Sequence, residues 1–159
     1  MTILPQQFLD EMKEILNEEY DDFIKSYDEP KTTGLRVNTL KISKEDLLNL
    51  NLYNLDQIPW AKEGFYYNEE VDRPGKSPLH EAGAYYLQEP SAMSVVPKLE
   101  VQEGEKILDM CAAPGGKTTH IAQLMNNTGE VVACDIHEHK IKIIEENAKR
   151  MGFDIIKPK

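Results

Sequence analysis

The stretch from Ile107 to Thr119 constrains this chain more than any other. An apolar run, Ile107-Leu108, breaks at Asp109, passes through Cys111-Ala112-Ala113-Pro114-Gly115-Gly116 and opens at Lys117-Thr118-Thr119 into a helical pattern. A strand that hands over to a helix through small, turn-forming residues is how an α/β sheet presents a helix N-terminus to a nucleotide-like ligand. Small side chains there let the ligand approach the backbone. A second apolar run, Val131-Val132-Ala133-Cys134, ends at Asp135. That residue follows Gly116 by about 20 positions, where a dinucleotide-type fold places the carboxylate that binds ribose hydroxyls.

The spacing admits three readings. Asp109, Cys111, Ala113 and Gly115 alternate in the manner of the acidic-x-Gly-x-Gly-x-Gly loop of S-adenosylmethionine methyltransferases, with Cys and Ala in place of the first two glycines. Cys111 to Thr118 also reads as a Walker A box, ending Gly116-Lys117-Thr118, but with Cys where the turn needs its first glycine. A glycine-rich turn with no ligand is the third. Neither of the last two gives Asp135 a role.

Leu108-Asp109-Met110-Cys111-Ala112-Ala113-Pro114-Gly115-Gly116-Lys117-Thr118 resembles motif I of the Nol1/Nop2/Sun family of RNA cytosine-C5 methyltransferases. Tyr86-Leu87-Gln88-Glu89-Pro90-Ser91-Ala92-Met93 is similar to the segment that precedes that motif in the family, and Leu35-Arg36-Val37-Asn38-Thr39-Leu40-Lys41 to the signature of its N-terminal domain. The matches fall in the family's order, and the layout is most similar to bacterial ribosomal RNA members.

The resemblance implies a specific chemistry. Members move a methyl group from S-adenosylmethionine to C5 of a cytosine in RNA after a cysteine thiolate adds to C6. It implies that Cys111, Ala112, Ala113, Pro114, Gly115 and Gly116 line the methionine and ribose end of S-adenosylmethionine. Lys117 then lies near its carboxylate and Asp135 on its ribose, while Lys140 matches a position that is basic in many relatives. Gln88, Glu89 and Ser91 are candidates for the border of the pocket. Asp109 reads as structural, bonded to the loop's own N–H groups. Ribosomal RNA is the implied partner, and Arg36 and Lys41 are the expected RNA contacts, with Lys44, Arg73 and Lys76 as further cations.

The family's two catalytic cysteines belong to a Pro-Cys and a Thr-Cys motif well downstream of the ribose-binding acid, so no catalytic residue is assigned here. Cys111 and Cys134 are the chain's two thiols. Both sit at positions that an alternating strand fills with small buried side chains, where free Cys packs well. Their number and spacing suggest neither a metal site nor a disulfide framework and fit a reducing cytoplasm. His120, His137 and His139 lack ligand company and read as solvated. The alternative function is a non-catalytic S-adenosylmethionine-binding or RNA-docking module.

The expected architecture is α/β: a small α+β RNA-orienting lobe over residues 1–88, followed over 89–159 by the first half of a Rossmann-like S-adenosylmethionine methyltransferase domain. Room remains after Glu105 for two strand-helix units, whereas a doubly wound sheet needs about twice as many. The reading is therefore of an N-terminal portion with an unpaired parallel edge. Helices are expected from Phe8 to Leu16, ended by Asn17, and around Tyr20 to Tyr27, ended before Pro30. A strand is expected over Leu35 to Ile42, and Ser43 with Asp46 opens a short helix. Short strands and turns follow, then helices over His80 to Tyr86 and Ser91 to Val96. A last helix carries Ile141, Ile144, Ala148 and Met151 and stops at Gly152.

Charge separates the leading segment from the rest. Net charge is -10 over 159 residues. Residues 1–30 contribute -7 of it, the pattern of a solvated acidic face and the wrong sign for a self-sufficient nucleic-acid binder. No signal pattern or membrane-length apolar run is present, so the expectation is a cytoplasmic chain with no membrane and no metal partner.

Overall fold

The computed structural model describes residues 3–159. Its contacts divide the chain into two compact units, one ending at Lys31 and one spanning Thr32–Lys159. The first unit is a pair of helices, α1 (Gln6–Leu16) and α2 (Tyr20–Ser26), joined by a turn over Asn17–Glu19. Pro5 precedes α1 in an extended conformation, and Asn17 ends it with φ 46°. Phe8, Phe23 and Tyr27 hold the pair together, with ring centroids 5.4 to 6.4 Å apart.

The second unit contains two sheets. In the first, β1 (Thr33–Val37), β2 (Asp56–Gln57), β3 (Gly64–Tyr67) and β4 (Tyr85–Leu87) pair antiparallel in the order β2-β3-β1-β4. Between them lie α3 (Lys44–Asn49), capped by Ser43 Oγ accepting from the Asp46 N–H at 3.0 Å, and α4 (Pro78–Glu81). After 3₁₀ turns at Ser91–Ser94 and Val96–Leu99 come β5 (Lys106–Asp109), α5 (Gly116–Leu124), β6 (Glu130–Ala133), α6 (Glu138–Met151) and β7 (Ile156–Pro158). These strands are parallel in the order β5-β6-β7, each joined to the next through a helix.

Two sequence expectations are corrected. The helix expected over His80 to Tyr86 ends at Glu81, and Tyr85–Leu87 is strand β4, paired with Leu35, Arg36 and Val37. Gly83 forces the break: its φ is +71°, and a Cβ there would lie 2.1 Å from the Arg150 carbonyl oxygen, so the backbone turns where only glycine fits. The strand expected to reach Ile42 stops at Val37, because the Asn38 carbonyl accepts from the Lys41 and Ile42 N–H groups in a turn. The Asn38 amide donates to the Gly83 and Met151 carbonyls at 2.9 and 2.8 Å.

Strand β4 explains why the two sheets form one unit. Side chains alternate across a strand, so Tyr85 joins the core of Leu35, Val37, Leu47 and Phe65, whereas Tyr86 joins the core of Ile121, Val131, Ile144 and Met151. The contact boundary consequently falls at Lys31, and residues 32–88 pack with residues 89–159. Gly152, with φ +81°, ends α6 as the sequence pattern requires.

Candidate cofactor-binding site

Strand β5 ends at Asp109, whose carboxylate fastens both ends of the following loop. Oδ1 accepts from the Cys111 N–H at 3.3 Å and Oδ2 from the Thr118 hydroxyl at 2.8 Å. The tip of β6 locks to the same loop through Cys134 N–H to the Asp109 carbonyl (2.7 Å) and Ala112 N–H to the Cys134 carbonyl (2.9 Å). Gly115 turns the chain with φ 104°, and α5 starts with no capping side chain. The first N–H groups of α5 and the positive end of its dipole thus stay open to a ligand.

Asp135 lies directly against this loop. Its Oδ2 accepts from the Ala113 N–H at 3.3 Å and its Oδ1 from the His137 N–H at 3.2 Å, with Lys140 Nζ 3.8 Å away. The His137 N–H, then the Ala113 N–H and Lys140 hold the carboxyl below the usual aspartate range despite partial burial. The side chain is 9% exposed, and each oxygen keeps lone pairs for further donors.

The loop's carbonyls are held from outside the motif. Asn147 of α6 donates to the Pro114 carbonyl at 2.8 Å, and Arg36 of β1 donates to the Gly116 carbonyl at 2.9 Å. Arg36 also bonds Gln88 Oε1, Thr119 Oγ1 (2.9 Å) and Gln123 Oε1 (3.3 Å). The Tyr86 ring is approached by two guanidinium groups, its centroid 5.6 Å from Arg36 and 5.8 Å from Arg150. A Cβ on Gly116 would come within 3.3 Å of its ring.

Of the expected cofactor residues, Cys111, Ala112, Ala113, Pro114, Gly115, Gly116, Asp135 and Lys140 come together at the tips of β5 and β6, and exposed Lys117 stands in the first turn of α5. The expected RNA contacts do not gather. Arg36 is 0% exposed and its donors are spent inside the fold, so it cannot reach an RNA phosphate. Lys41 ties the Ala82 and Arg150 carbonyls together at 2.6 and 2.7 Å. Burial takes Arg36 out of the expected RNA contacts, whereas Lys41 remains exposed beside the carbonyls it binds.

Two smaller expectations also change. Cys111 is exposed and not packed inside. His120 is fully buried, with neither ring nitrogen bonded among the described residues, and is not a solvated helix position. Gln123, Asn147 and Arg150 escaped the sequence reading because nothing in a helical pattern distinguishes a polar residue aimed at another element's carbonyl. Thr118 is fully buried on Asp109, so the Walker reading lacks the hydroxyl that would hold Mg²⁺. No helix of the described residues is long and apolar enough to cross a membrane.

A parallel β-α-β-α-β unit with an acidic strand end, a left-handed glycine and a second acid at the next strand tip defines the class of α/β methyltransferase folds. A methyltransferase homologue from Pyrococcus horikoshii superposes with a TM-score of 0.85 at 35% identity, covering 97% of this chain and 52% of that one. NSun6 from Pyrococcus horikoshii shares the fold with a TM-score of 0.83 at 24% identity, over 96% of this chain and 64% of its own.

The chain belongs to the family of the 16S rRNA methyltransferase RsmF: the family's N-terminal domain matches residues 4–90, and the 16S rRNA methyltransferase RsmB/F domain matches residues 96–158. Ribosomal RNA small subunit methyltransferase F of Escherichia coli is 37% identical over 159 residues, and that of Pectobacterium carotovorum is 40% identical. Each alignment covers 94% of this chain and 33% of the relative, so the chain spans about a third of the length of these relatives.

Proposed function

We propose that this chain supplies the N-terminal lobe, residues 1–88, and the cofactor-binding part, residues 89–159, of an S-adenosylmethionine-dependent methyltransferase that modifies cytosine C5 in ribosomal RNA, in the cytoplasm. The observation that carries the reading is the Ala113 N–H to Asp135 contact at 3.3 Å. It sets a carboxylate with free lone pairs beside an uncapped helix N-terminus, the pairing that ribose hydroxyls and an amino-acid carboxylate require.

The residues present fit that cofactor. Asp135 would accept from the ribose, the Cys111–Gly116 backbone would follow the methionine end, and the His137 N–H, then the Ala113 N–H and Lys140, favour the ionised Asp135. When bound, S-adenosylmethionine supplies an electrophilic methyl group. Attack on C6 of cytosine needs a thiolate. Exposed Cys111 belongs to the cofactor loop and Cys134 follows the last residue of β6, so both of this chain's thiols serve the donor side of the reaction.

Calorimetry of the chain with S-adenosylhomocysteine and with ATP-Mg²⁺ tests the reading. The expected result is measurable binding of the first and none of the second. Tighter ATP binding would overturn it.

A further inference from the structure

Gln88 follows β4 and is 7% exposed. Its carboxamide lies against the start of α5, with Nε2 3.5 Å from where a Cβ on Gly116 would stand. Its Oε1 accepts from Arg36 Nη1. A guanidinium only donates, so the atom that faces Arg36 has to be the oxygen, and chemistry fixes an orientation that coordinates often leave open.

The NH₂ group therefore points the other way and donates to no group among the described residues. Most of Gln88 is buried, but this NH₂ stays open to solvent, so a ligand can reach it. Donors also stand at the start of α5, whose first N–H groups have no capping side chain. The adjacent carboxylate, Glu89, is turned onto the Ser91 hydroxyl and the Ala92 N–H. A site that offers hydrogens from Gln88 and from the start of α5 suits an anionic oxygen.

We propose that Gln88 is a cofactor-contacting residue whose NH₂ donates to the carboxylate at the amino-acid end of the methyl donor. Arg36 is then a positioning residue that acts through Gln88. The assignment rests on the S-adenosylmethionine reading above and adds a contact from outside the loop motif.

Substituting Gln88→Glu tests it, because an oxygen still faces Arg36 while the free donor becomes a charged acceptor. Affinities of the whole chain are measured calorimetrically for S-adenosylhomocysteine, which has the carboxylate, and for 5′-methylthioadenosine, which lacks the amino-acid end. Gln88→Glu should weaken S-adenosylhomocysteine by about tenfold or more and leave 5′-methylthioadenosine unchanged. Equal losses for both ligands, or none for either, would overturn the assignment. Gln88→Met removes the donor, and with it the Arg36 acceptor, without adding charge and should show the same selectivity with a smaller loss. It decides the matter if the Glu variant melts early. A wild-type chain that binds neither ligand removes the cofactor reading itself, and this assignment with it.

Discussion

Arg36 Nη1 lies 2.9 Å from the carbonyl oxygen of Gly116, joining the second residue of the Leu35-Arg36-Val37 signature to the glycine that begins α5. The guanidinium is fully buried, and burial lowers its pKa to about 9, partly offset by Tyr86 and Glu63. Its hydrogen bonds cross from the antiparallel sheet to the cofactor loop. Removing it takes a donor from four acceptors, of which the Gly116 carbonyl keeps the Thr119 hydroxyl, so Arg36→Ala should destabilise the fold by about 2 to 5 kcal/mol. Urea denaturation measures this. A variant as stable as wild type would show that the lobe and the loop are held by apolar packing instead.

Asp135→Asn should reduce S-adenosylhomocysteine affinity by about tenfold or more, since a charged acceptor for two hydroxyls becomes a neutral amide with one acceptor oxygen. Thermal stability should change little, because Asn can still accept from the Ala113 or His137 N–H. Calorimetry and a melting curve separate the two effects. Unchanged affinity would take Asp135 out of the site.

How much of this was legible in sequence depends on whether the signal was local. The β5 loop, its Asp109 anchor, the left-handed Gly115 and the position of Asp135 against the loop were readable because strand ends and left-handed turns impose fixed residue types at fixed spacing. The amphipathic pattern of α6 and its Gly152 stop were readable for the same reason. Arg36 was misassigned because a basic residue in a strand looks the same whether it faces phosphate or a buried carbonyl. His120 was misassigned because the spacing of α5 does not reveal that the helix is covered along much of its surface, with six buried residues from Thr118 to Gln123. Strand β4 was missed because helix-like composition around His80 gave no sign that Gly83 approaches Arg150.

The outer edge of β5 is unpaired among the described residues. Leu108 in β5 and Met110 just after it are 58% and 73% exposed. An open strand edge beside apolar side chains promotes association. The chain alone should therefore self-associate at high concentration, and Leu108→Lys with Met110→Lys should return it toward a monomer. Light scattering against concentration checks this. Equal association by wild type and variant would place the contact elsewhere.

His120 gives the chain a pH dependence of known sign. Burial, followed by the nearby Arg36 charge, lowers its pKa from 6.5 to about 2. Neither nitrogen has a hydrogen-bond partner among the described residues to favour the charged form. The folded chain thus keeps the imidazole neutral over a range where the unfolded chain protonates it. Between pH 6.5 and about 2 the unfolded state binds the extra proton, so His120's contribution to stability is complete above 6.5 and is lost as pH falls through this window. The slope from one such group approaches about 1.4 kcal/mol per pH unit well below 6.5. His120→Leu should flatten the decline measured by urea denaturation between pH 7 and 5, where most carboxylates are still ionised in both states. If the variant and the wild type lose stability in parallel over that interval, His120 is protonated in the folded chain, and a water or polar group must bond the ring.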